Sequence, residues 1–79
     1  MLVTPEKPPI VLTHRQKEVL RLVADGYSNG AIAKKLVITR HTVKAHICSI
    51  YEQFNTNSRV TLIVDALKRG MLDLYDIKS

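Results

Sequence analysis

The chain has 79 residues, with twelve Lys and Arg against seven Asp and Glu, a net charge of +5 and an isoelectric point near 9.7. That length builds one small domain and excludes a second independent core, and no run of about 18 uninterrupted apolar residues is present to cross a bilayer. The positive balance favours a polyanionic partner, either nucleic acid or an anionic membrane surface, and charge alone does not choose between them.

Residues 1–10 read as a linker or tail. Pro5, Pro8 and Pro9 oppose regular structure, and the segment has neither the apolar core nor the small-residue cleavage site of a secretory signal. Thr13 then stands three residues before Gln16, the spacing at which each side chain satisfies the other's free backbone N–H, so a helix is predicted from about 14 to 25. Val19, Leu20 and Val23 give it an apolar stripe, and Gly26 tolerates the positive φ that closes many helices.

Ser28 caps a second predicted helix that ends near Leu36, with Ile32, Ala33 and Leu36 on one side and Lys34 and Lys35 directed elsewhere. Only Val37, Ile38 and Thr39 separate it from the next periodic segment, and so short a connection between helices is that of a helix-turn-helix. The third helical segment spans about 38 to 54, with Thr39 as its natural cap. Spacings of four, three and four place Val43, Ile47, Ile50 and Phe54 on one buried face. At about 100° per residue, His41, Lys44, Ala45, Cys48 and Glu52 then point the opposite way. Asn55, Thr56 and Asn57 form a turn, Ser58 caps a fourth helix carrying Val60, Leu62, Ile63, Val64, Ala66 and Leu67, and Gly70 closes it. Residues 73–79 are a tail of no clear period, and the expected fold is all-α, a four-helix helix-turn-helix domain over 11–72.

The basic residues are not evenly spread. No Asp or Glu lies between Asp25 and Glu52, while Lys34, Lys35, Arg40 and Lys44 fall inside that window. A helix laid in the major groove of a duplex needs small or polar outward residues that reach base edges, with cations and hydroxyls near its N-terminus for phosphates. Helix three offers both. Thr39, Thr42 and Lys44 are assigned chiefly to the DNA backbone, and Lys44, Ala45 and Cys48 to base reading. Ser28, Asn29, Lys34, Lys35, Arg40 and His41 complete the candidate surface.

Leu12-Thr13, Arg15, Glu18-Val19-Leu20, Gly26, Ser28-Asn29, Ile32-Ala33, Leu36, Thr42-Val43-Lys44, His46, Ile50 and Arg59 together resemble the LuxR/FixJ-type DNA-binding domain over about residues 11 to 72. The resemblance implies four helices, a third helix in the major groove, a dimer contact on the fourth, paired half-sites, and contact with RNA polymerase. Leu62, Ala66 and Arg69 are the expected dimer residues, and the chain is expected to be the output domain of a two-component response regulator or a small stand-alone regulator. Three positions depart from the pattern: Gln16 for the usual Glu, Gly30 for a frequent Lys, and Phe54-Asn55 for Leu-Gly. Gly30 removes one expected phosphate contact and weakens helix two by about 1 kcal/mol relative to Ala.

Competing readings stay open at several residues. Lys34, Lys35 and Arg40 are either a phosphate-facing set or a solvated helix face, and Cys48 is either a small base reader or a redox sensor. Arg59 either holds a helix junction through backbone acceptors or serves DNA, His46 packs structurally or meets a phosphate, and the apolar surface of helix four is core or a dimer contact. One cysteine permits no internal disulfide, and His14 and His41 have no ligand spacing with it, so neither metal nor cofactor is expected and a reducing cytoplasm fits. Paired carboxylates, Gly-rich phosphate loops and nucleophile triads are missing, which argues against an enzyme. The expected function is sequence-specific regulation of transcription on double-stranded DNA. The alternative is a protein-interaction module that docks another regulator or polymerase through helix four.

Overall fold

The computed structural model describes residues 9–73. Within them are four helices, α1 (His14–Ala24), α2 (Asn29–Leu36), α3 (Arg40–Phe54) and α4 (Arg59–Lys68), and no strand among the described residues. Each helix opens on a hydroxyl cap. Thr13, Ser28, Thr39 and Ser58 accept the backbone N–H of Gln16, Ala31, Thr42 and Thr61, and in α1 the Gln16 side chain returns the bond to the backbone N–H of Thr13. A cap of this kind contributes roughly 1 kcal/mol by satisfying one of four orphan donors.

All four helices also close alike. Gly26, Val37, Asn55 and Gly70 adopt positive φ, and the following residue donates its N–H back to a carbonyl five positions earlier: Tyr27 to Leu22, Ile38 to Ala33, Thr56 to Tyr51 and Met71 to Ala66, at 2.9–3.1 Å. This is the Schellman closure, and three of the four returning residues, Tyr27, Ile38 and Met71, lay apolar side chains on the core. Ile38 therefore belongs to the end of α2. The third helix begins two residues later than the periodic segment that starts at 38.

The core joins Leu12, Val19, Leu20, Leu22 and Val23 from the first part of the chain to Ile32 and Ala33 of α2, Val43, Ile47, Ile50 and Phe54 of α3, and Leu62 and Ala66 of α4. The predicted buried edge of α3 is thus the one observed. Ile10, at the end of the expected linker, is half-buried against this core.

The expected dimer residues require correction. Leu62 is 1% exposed and Ala66 0%, because both fall on the face of α4 that seals the core beside α3. Arg69 is engaged within its own chain: its Nε lies 3.2 Å from Asp65 Oδ1, and its guanidinium sits 5.7 Å from the centre of the Phe54 ring. The apolar side chains that α4 leaves exposed are Val60 and Val64, one turn apart.

Candidate nucleic-acid interface

Four core residues at α-helical spacing pin one side of α3, so the orientation of its other side follows. Lys44, Ala45 and Cys48 are all exposed, as are His41 and Glu52. The acid-free face therefore runs from the N-terminus of α3 for about three turns and ends at Glu52, a carboxylate that would repel phosphate further along. His46 is half-buried beside the core stripe and takes no part in the exposed strip.

Thr39 and Thr42 form a coupled pair at the N-terminal turn. The Thr39 hydroxyl accepts the Thr42 N–H at 3.1 Å and lies 2.9 Å from the Thr42 hydroxyl. When Thr42 donates in that contact, Thr39 keeps its own proton for an outside acceptor, so the exposed hydroxyl of the pair is the one able to reach a phosphate. Ser28 is exposed and uses its oxygen on the Ala31 N–H at 3.1 Å, which leaves its proton available in the same way; Asn29 beside it is half-buried.

The basic residues of α2 separate in character. Lys34 is exposed, whereas the Lys35 ammonium lies 5.4 Å from the centre of the Tyr27 ring, a cation–π placement that keeps the charge but fixes its position. Arg40 is exposed and, as the first residue of α3, turns its guanidinium toward Gly30 of α2. Neither the Tyr27 stacking nor the Arg40 placement is readable from helical periodicity, since each joins residues of different elements.

Arg59 is not on this surface. Its Nη2 donates to the backbone carbonyls of Tyr27 at 2.5 Å and Val23 at 3.3 Å, tying the start of α4 to the turn between α1 and α2. Gln16 has a similar connecting role, with Nε2 donating to Ser49 Oγ of α3 at 3.0 Å. Gln16 thus ties α1 to α3, while Arg59 ties α4 to the end of α1 and the turn after it.

Among the described residues no helix is long and apolar enough to cross a membrane, and no group of three or more His, Cys, Asp or Glu is placed to hold a metal ion.

Comparison with known proteins bears on what this surface is for. Residues 10–66 match the family described as bacterial regulatory proteins, luxR family. The transcriptional regulatory protein DegU of Brevibacillus brevis is 44% identical over 64 residues, covering 81% of this chain and 27% of DegU. The oxygen regulatory protein NreC of Staphylococcus carnosus is 41% identical over 63 residues, covering 80% of this chain and 29% of NreC. The chain thus spans less than a third of the length of either relative. Among solved structures, the response regulator ChrA of a heme-sensing two-component system superposes with a TM-score of 0.76 at 33% identity, covering 84% of this chain and 33% of ChrA. The Vibrio cholera VqmA–ligand–DNA complex gives 0.74 at 32% identity, covering 90% of this chain and 31% of the other. With more than half of its residues matching the family and the same four-helix fold, this chain belongs to the luxR family of bacterial regulatory proteins.

Proposed function

We propose that the chain binds double-stranded DNA in a sequence-dependent manner, with α3 in the major groove, and that it regulates transcription. The observation that carries this reading is the composition of the α3 surface. Opposite a fully apolar buried edge, it exposes the cation Lys44, the small Ala45 and Cys48, and the Thr39 hydroxyl, with no acid before Glu52. Small side chains at the centre of the strip let the helix approach base edges, and Cys48 or Ala45 can meet a thymine methyl, while Lys44 reaches either a guanine edge or a phosphate. Ser28, Asn29, Lys34, Lys35, Arg40, His41 and Thr42 flank the strip as the backbone-facing set. The solved complex of VqmA with DNA supports the same use of a related fold.

ChrA is a response regulator of a two-component system, and the likeness to it favours a role for this domain as the output module of such a regulator, acting inside the cell. Two copies on paired half-sites would meet through α4, with Val60 and Val64 rather than Leu62 and Ala66 in the contact. Contact with RNA polymerase, implied by the resemblance, would be read by transcription from a template carrying the selected site. The second reading, a protein-docking module, has in its favour the same two exposed valines.

A selection from random duplex DNA, carried out across a salt titration, tests the proposal. Enrichment of a defined sequence with binding that weakens steeply as salt rises is the expected result. Recovery of no sequence, with no salt-dependent duplex binding, would leave the docking module as the better account.

A further inference from the structure

Gly30 and Arg40 are ten positions apart, one in the first turn of α2 and the other the first residue of α3, yet they meet closely. A β-carbon placed on Gly30 would lie 2.8 Å from Arg40 Nη2, 3.0 Å from its Nε and 3.1 Å from its Cζ. Real β-carbons essentially never approach another heavy atom that closely, so the guanidinium occupies space that exists only because residue 30 has no side chain. Gly30 has an ordinary helical backbone without the positive φ of Gly26 and Gly70, so no backbone conformation demands glycine there.

The charge so placed is unneutralised. Among the described residues the Arg40 side chain has neither an ion pair nor a hydrogen bond, and the sequence holds no carboxylate from residue 26 to residue 51. A free arginine side chain samples many rotamers and loses that freedom when it binds. One laid against a helix surface has already lost part of it. On the helical wheel Arg40 stands on the flank of the α3 strip, about 40° from Lys44 and about 80° from Cys48. Folded back onto α2, its guanidinium is directed away from the base-reading centre.

We infer that Gly30 is a positioning residue for DNA binding: its missing side chain seats the Arg40 guanidinium across the first turn of α2, where it contacts a backbone phosphate beside the major groove. The position at which glycine replaces a frequent lysine is then the position that receives a cation from α3. This rests on the proposal that α3 binds duplex DNA, and the test separates the two.

Salt-titrated binding to one duplex is measured for the wild-type chain, Lys44→Ala, Arg40→Ala, Gly30→Ala and the double variant Gly30→Lys/Arg40→Ala, with urea unfolding of each. Gly30→Ala adds a better helix former, and the atom it displaces is the end of a flexible side chain, so the domain stays at least as stable as wild type. Its duplex affinity nevertheless falls about threefold to tenfold as the guanidinium is expelled. Arg40→Ala loses a similar factor and lowers the slope of log affinity against log salt by about 0.9, the amount for one phosphate contact. The double variant recovers most of that slope by supplying a cation from α2 itself. Unchanged binding by Gly30→Ala, or an Arg40→Ala slope equal to that of wild type, overturns the inference. If those two variants behave as wild type while Lys44→Ala is weakened, the groove-binding proposal stands and only this inference falls. If the wild-type chain shows no salt-dependent duplex binding, both fall.

Discussion

Gln16 of α1 and Ser49 of α3 are 33 residues apart in sequence and joined by a hydrogen bond of 3.0 Å, from Gln16 Nε2 to Ser49 Oγ, while the other end of the same amide accepts the Thr13 N–H at 2.9 Å. One neutral side chain therefore completes the cap of the first helix and fixes its distance to the third. Ser49→Ala removes only the cross-helix bond and is expected to cost about 0.5–1.5 kcal/mol in urea unfolding. Gln16→Leu removes the bond and half of the capping box and should cost more, about 1–3 kcal/mol. Gln16→Glu retains the backbone acceptor and can accept from the Ser49 hydroxyl, so it should fall closest to wild type. Equal stability of Gln16→Leu and wild type would show that the amide links nothing.

Arg59 makes a charged contact with two backbone carbonyls at the end of α1 and the turn after it, those of Val23 and Tyr27, the first of which also accepts the Gly26 N–H at 3.1 Å. Hydrogen bonds to charged groups contribute about 1.5–3 kcal/mol, and Arg59→Ala should lose an amount in that range, read from the urea midpoint at unchanged m-value. Arg59→Lys should recover less than half, because a single ammonium lacks the spread of the guanidinium. The salt slope of duplex binding by the folded fraction should not change, since Arg59 faces a turn rather than the α3 strip.

Val37 is the one β-branched residue among the four that close helices in the left-handed region, with φ 57° and ψ 48°. Its side chain is 89% exposed, so the strain is not offset by burial. An L-residue in this region costs about 1–2 kcal/mol and a β-branched one sits at the upper end. Val37→Asn, a residue that tolerates this conformation, should raise the thermal midpoint by roughly 4–8 °C for a domain of this size. A lowered midpoint would mean that the valine methyls make a contact that outweighs the strain.

On α4, Val60→Glu or Val64→Glu should leave unfolding within about 0.5 kcal/mol of wild type, because both positions are exposed, yet reduce the cooperativity of binding to a two-half-site duplex. Leu62→Glu and Ala66→Glu should instead destabilise by more than about 4 kcal/mol, since each places a carboxylate in the core. Urea unfolding and sedimentation of the four variants separate the two faces. Lost self-association in Leu62→Glu at full stability would reinstate the buried face as the contact.

Local signals made most of the fold legible. The hydroxyl caps at Thr13, Ser28, Thr39 and Ser58, the closing Gly26 and Gly70, and the four-three-four spacing of Val43, Ile47, Ile50 and Phe54 all act within one helix and its ends, and each recurs in the structure. Relationships between elements were less accessible. Helix four carries apolar residues around much of its circumference, so periodicity does not say which side faces α3, and Leu62 and Ala66, expected at a dimer contact, are buried in the core instead. Gln16 on Ser49 and Arg40 on Gly30 each depend on how two helices are set against one another, and Lys35 on Tyr27 depends on how the α1–α2 turn folds beside α2, none of which is encoded by spacing within one helix. Val37 was hidden for another reason: valine disfavours the left-handed region, so its identity points away from the conformation that the tight α2–α3 turn imposes.

The central claim is that the exposed strip of α3 meets a duplex, and Lys44 is the residue on which it turns. Lys44 is exposed, so Lys44→Ala should leave folding intact. Measured against salt on a selected duplex, that variant is expected to bind about tenfold or more weakly than wild type, with the slope of log affinity against log salt reduced by about 0.9 if the ammonium reaches a phosphate. Identical affinity and identical slope for the two proteins would contradict the account and take α3 out of the groove.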